Sequence, residues 1–201
     1  MSKPPLAQEP NVEPITLAEA RLHLRLDTFG SPPSHPDDSL VEVIISAARG
    51  MAENYLNHSI ANREVVLQLD DFGTDGYISL QDWPVVGIAS VEYLDSTGAA
   101  QTWASNQYIL DGASQPARLY PVTDFPEVQD RVNAVTVTFD AGYTDGESPN
   151  TYPMPKAIKQ AILLMIGHLY ENRQDVTYAQ HYQLPMGSVS LLQPYRISMG
   201  L

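Results

Sequence analysis

The stretch from Val132 to Glu171, VNAVTVTFDAGYTDGESPNTYPMPKAIKQAILLMIGHLYE, decides the fold class because its hydrophobic period changes once along its length. Val135, Val137 and Phe139 alternate with Thr136 and Thr138, the two-residue period and β-branched content of a strand with one buried face. Residues 142–155, rich in Gly, Pro, Asn and Asp, break that pattern. From Lys156 to Glu171 the spacing turns helical: Pro155 suits a first turn, and Ala157, Ala161, Met165 and Leu169 form one stripe. Ile158, Ile162, Leu163, Leu164 and Ile166 make this helix apolar nearly all round, so it needs cover on several sides. Two readings stand. It is the central helix of one core, or Leu163, Leu164 and Ile166 belong to an inter-subunit surface.

Working back toward the N-terminus, more alternating segments come first and helical ones before them. Glu64 to Leu69 alternates through Val65, Leu67 and Leu69, and Ile88 to Leu94 through Ile88, Val91 and Tyr93 with one slip. Asp95 to Gly98 reads as a turn that returns along Gln101 to Trp103, and Asn106 to Leu110 and Arg118 to Tyr120 read as shorter strands. Together these predict a small antiparallel sheet or barrel. Before them, Leu40, Ile44, Ala47, Ala48, Met51 and Tyr55 recur at helical spacing behind Asp37 and Asp38, whose charges suit a helix start, giving a helix from Asp37 to Leu56. Gly30 to Pro36 is a proline-rich loop. Arg21 to Leu26 alternates like a strand. Thr16 and Glu19 have capping-box spacing, however, with Ile15 as a staple, and favour a short helix there.

The expected fold class is therefore α+β: helical parts at 14–59 and 153–173, with an antiparallel β subdomain inserted at 60–145. Residues 1–13 are expected to be a tail. Past Gln174 periodicity is lost, yet Leu191, Leu192, Pro194, Tyr195 and Arg196 end the chain as an apolar and cationic cluster. Residues 174–201 read as an extended docking tail or as an ordinary tail packing on its own domain.

Composition excludes several classes of function. Cys 0 removes disulfides, thiolate metal sites and a cysteine nucleophile. Eleven Lys and Arg against 24 Asp and Glu give a net charge of -13, which repels phosphate and argues against sequence-specific DNA binding. No apolar run approaches the ~20 residues needed to cross a bilayer, and the N-terminus has no apolar signal core, so a cytoplasmic site of synthesis is expected. His23, His35, His58, His168 and His181 fall in separate segments and offer no zinc motif. Asp37 with Asp38 reads as helix-start charge, and Asp70 with Asp71 as a strand-end turn, in preference to a catalytic or metal-binding carboxylate pair. The acids between Asp140 and Glu147 lack the ligand spacing of a calcium loop. No phosphate loop, nucleophile elbow or dinucleotide fingerprint occurs, so no catalytic residue, cofactor or metal is assigned.

Five segments carry a family resemblance. They are Pro14 to Asp27, Asp38 to Leu56, Trp83 to Val86 with Val91 to Asp95 and Gly98, Val135 to Tyr143 running into Met154 to Ala161 and on to Leu169 to Arg173, and Leu191 to Arg196. In this order the chain resembles the head-to-tail connector, or adaptor, proteins of tailed phages and gene transfer agents. The loop at Pro32 to Pro36 and the segment from Gln115 to Arg131 depart from that pattern. The resemblance implies a virion protein of the neck, made in a bacterial host and not an enzyme. It implies a homo-oligomeric ring, commonly of about twelve copies, whose neighbours meet head to tail. The helices would form the ring body and the sheet would project outward or toward the tail. Its partners would be the portal protein and a stopper or tail-completion protein, with DNA passing through the channel unread and no membrane contact. Leu191, Leu192, Pro194, Tyr195 and Arg196 would dock on the portal or a neighbour. The competing reading is a monomeric carbohydrate- or cation-binding β module with Trp83, Trp103 and Tyr93 as stacking residues.

Overall fold

The computed structural model describes residues 6–144, 152–173 and 186–197. The fold class is α+β, with four α-helices and two antiparallel sheets among the described residues. The chain forms two compact units: Met1–Asn11 with Ala61–Pro153, and Val12–Ile60 with Met154–Leu201.

The first unit is β. Its strands are β1 (Leu6–Ala7), β2 (Arg63–Leu69), β3 (Ile78–Leu80), β4 (Val85–Leu94), β5 (Ala100–Thr102), β6 (Tyr108–Asp111), β7 (Ala117–Pro121) and β8 (Val135–Ala141). One sheet has the order β1-β2-β8-β4-β5 and the other β3-β7-β6. The alternation in β8 sends Val135, Val137, Phe139 and Ala141 inward, and the register sets Val137 opposite Leu67 on β2 and Val91 on β4. With Leu80, Leu119 and Trp103 these side chains make one buried core.

The slip in β4 is a change of register between Ile88 and Ser90, which face Phe139 and Thr138. One extra residue there restores Ile88 and Val91 to the same face. The stretch expected as a tail instead supplies β1, because the outer edge of β2 offers unpaired backbone groups: Gln8 N–H donates to Glu64 O at 3.1 Å. Where the sheet enters and leaves, Ala61 bridges Tyr143. Gly142 lies close against that entry, with φ +119° and a hypothetical Cβ 2.6 Å from the Ala61 carbonyl carbon.

The second unit is helical: α1 (Leu17–Leu24), α2 (Asp38–Leu56), α3 (Lys156–Glu171) and α4 (Met186–Leu192), followed by a 3-10 turn at Gln193–Tyr195. Thr16 and Glu19 close the capping box at the start of α1, and Arg25 ends that helix in a left-handed conformation. The buried stripe of α2 is Val41, Ile44, Ile45, Ala48, Ala52 and Leu56, turned slightly from the predicted one, so that Ala47 faces water. Arg49 shares the buried face. The core is completed by Ile15, Ala20, Ile60, Ile158, Ala161, Ile162, Met165, Ile166 and Leu192.

Candidate assembly surfaces

Sequence reasoning singled out the C-terminal cluster, and its local geometry is closed rather than extended. From Met186 to Leu192 the chain is helical despite its two serines and a glycine, because packing replaces periodicity: Ser188 and Leu192 are fully buried. The following residues are held against the end of α2. Ile197 N–H donates to Leu56 O at 2.9 Å and Asn57 Nδ2 donates to Ile197 O at 3.0 Å. His58 Nε2 lies 3.2 Å from Tyr195 O, Tyr55 hydroxyl donates to Gln193 Oε1, and the Arg196 guanidinium sits 5.2 Å from the Tyr55 ring centre. Of the residues expected to dock on a partner, Leu192 therefore serves the interior of its own unit. Leu191 and Tyr195 are half-buried, and Pro194 and Arg196 are exposed.

A similar sorting applies to α3. Ile166 is fully buried, while Leu163 and Leu164 are half-buried. Contacts of α3 with α1, α2 and α4 account for much of its all-round apolar character, since Gly167 lies near His23 and Gly187 lies near Leu164.

The paired acids are tied into the fold. Asp37 accepts from Tyr170 hydroxyl and from Arg173 Nη2 at 3.1 Å, and these donors hold its carboxyl below the usual range while Asp37 pushes the Tyr170 hydroxyl up. Asp38 pairs with Arg21 through both oxygens and accepts His35 N–H at 2.8 Å, and is lowered for the same reason. Lys159 donates to Glu19, which is lowered as well. Asp70 accepts Asn133 N–H at 2.9 Å, and Asp71 accepts Gly73 N–H at 2.7 Å in a turn. Among the described residues no three His, Asp or Glu side chains stand together as a metal site, and Asp145 and Glu147 lie outside the described residues.

The two tryptophans sit in separate aromatic clusters. Trp103 is 3% exposed and packs on Phe72, Tyr108 and Phe125, with Tyr93 beside Phe72. Trp83 meets Tyr143 and Tyr152 instead. Trp83, Trp103 and Tyr93 thus make no common stacking platform for a sugar.

One feature of the helical unit escaped the sequence reading. Arg49 donates through Nε to Glu13 Oε2 at 2.8 Å, through Nη1 to Glu53 Oε2 at 2.9 Å, and through Nη2 to Ser46 Oγ at 3.2 Å. Glu53 Oε1 in turn accepts Ile60 N–H at 2.8 Å. The signal was present: Ile45, Arg49, Ala52 and Leu56 share one face of the helix.

The architecture as a whole is that of chains found in the particle necks of gene transfer agents. A chain of the neck of an empty gene transfer agent particle, computed with C6 symmetry, matches with TM-score 0.75 and 22% identity, covering 98% of this chain and 97% of that one. A chain of a native gene transfer agent virion matches with TM-score 0.72 and 22% identity, and one from a native neck computed with C12 symmetry with TM-score 0.71 and 21% identity, each with the same coverage. No protein-family model matches the sequence, and no curated protein matches it.

Proposed function

We propose that this chain is a structural, non-enzymatic subunit of the neck of a phage-like particle, an adaptor that forms a ring beneath the portal and continues the DNA channel toward the tail. The observation that carries this reading is the likeness to neck chains along nearly the whole length of both partners, including both units and the terminal helix. The C12 symmetry of one such neck favours a ring of about twelve copies. The helical unit supplies the ring contacts. The exposed Pro194 and Arg196, with the half-buried Leu191 and Tyr195, are the part of the terminus left to meet the portal or a neighbour. A net charge of -13 suits a channel component that leaves passing DNA mobile. The carbohydrate-module reading lacks comparable support, since its aromatic residues are divided between two clusters and Trp103 is in the core.

The test is incubation of the purified protein with DNA-filled heads that lack a neck, followed by electron microscopy of the portal vertex. A ring of new density beneath the portal is the expected result. Absence of bound protein at high concentration overturns the adaptor assignment.

A further inference from the structure

Seven large apolar side chains are exposed among the described residues, and only two of them lie on α-helices: Leu22 on α1, 81% exposed, and Val43 on α2, 67% exposed. Each belongs to a row. Ala18 and Leu22 are both exposed one turn apart on α1, and Arg25 follows at the helix end, exposed and without a side-chain partner among the described residues. On α2, Val43 and Ala47 are exposed at the same spacing, and Gly50 continues the row over open space, where an added Cβ would meet nothing within 4 Å. Glu42 stands exposed beside Val43.

The first row is a bulky ridge ending in a positive charge. The second is an apolar track whose side chains shrink from Val43 through Ala47 to Gly50, with a negative charge beside Val43. Ridge-into-track packing is how helices join, and here both shape and charge are complementary.

We infer that the occupant of each row is a second copy of this chain: Leu22 of one copy seats on Val43 and Ala47 of the next, with Arg25 facing Glu42. This inference rests on the ring proposed above and names its subunit contact. Because two different patches meet, the contact is heterologous and propagates from copy to copy until a ring closes.

Complementary variants test it. Leu22→Asp and Val43→Asp each remove one patch from a solvent-facing position, so both should fold and melt as the wild type does. Each alone should weaken self-association, measured by sedimentation, on the order of 30-fold or more. Mixed together they should form dimers that go no further, because each still carries the patch the other lacks. Arg25→Glu with Glu42→Arg in the same chain should restore association lost in either single variant. Wild-type association unchanged by Leu22→Asp and Val43→Asp, or a mixture that yields no dimers, overturns this contact while leaving the ring standing. A wild type that fails to self-associate both in solution and on neck-less heads overturns the ring itself.

Discussion

Replacing Arg49 should be among the most damaging single changes to the helical unit, and the structure says why. The Arg49 side chain is 4% exposed and serves two carboxylates, Glu13 at 31% exposure and Glu53 at 12%. In Arg49→Met the apolar stem is kept and the guanidinium is lost. Glu13 can turn into water, but Glu53 is held inside by its bond from Ile60 N–H and loses the guanidinium that faces it. Breaking a buried pair by removing one partner costs about 3–5 kcal/mol. Adding Glu53→Gln to that variant deletes the stranded charge while keeping an oxygen for Ile60 N–H, and should recover roughly half of the loss. The assay is urea unfolding followed by far-UV circular dichroism at neutral pH. A loss below about 1 kcal/mol, the value of an exposed pair, would refute the argument. So would a double variant less stable than Arg49→Met alone.

Two further changes report on the β unit. Gly142→Ala combines a backbone angle that side chains avoid with a clash against the Ala61 carbonyl, so it should destabilise the unit by about 3 kcal/mol or more, read by chemical denaturation; a neutral effect would mean the chain entry can shift freely. Asp95 accepts from Thr97 and Gln101 side chains and from Thr97 and Ala99 amides, which lowers its carboxyl from 3.8 to about 2. Since the folded value lies below the ordinary one, the stabilisation is complete above about pH 4 and is lost as pH falls toward 2. Carbon-detected titration of the Asp95 carboxyl should find its midpoint near 2, and a midpoint at 3.8 would contradict the turn geometry.

How much of this could be read from sequence depended on whether a signal was local. The capping box at Thr16 and Glu19 and the alternation from Val135 to Phe139 are set by neighbours a few residues apart, and both elements form where local rules place them. The slip in β4 is an extra residue accommodated only by pairing with β8, so it reads as an irregularity until the partner strand is known. Strands of two or three residues, β1 and β3, have no period to detect. The terminal helix α4 is fixed by burial of Ser188 and Leu192 against its own unit, a tertiary effect that overrides weak propensity. Leu192, expected to dock on a partner, and Ile166, weighed as part of an inter-subunit surface, are both interior; an apolar residue looks the same in sequence whether it meets its own chain or another. The exposed rows at Leu22 and Val43 escaped for the converse reason. Apolar residues at helical spacing read as core until burial separates the two faces of the helix.

The bridge between Ala61 and Tyr143 bears on how the protein reaches this structure. Packing α3 on α2 must close a loop of roughly 100 residues between Leu56 and Lys156, which is entropically costly in an unfolded chain. Once the β unit has folded, Ala61 and Tyr143 are pinned side by side, and only about 20 residues of chain lie between that bridge and the two helices. The closure cost then falls by about 1.4 kcal/mol, roughly a tenfold gain in the local concentration of one helix around the other. A β unit that folds first would therefore act as a folding clasp for the helical unit, whose last helices are also the last to be synthesised.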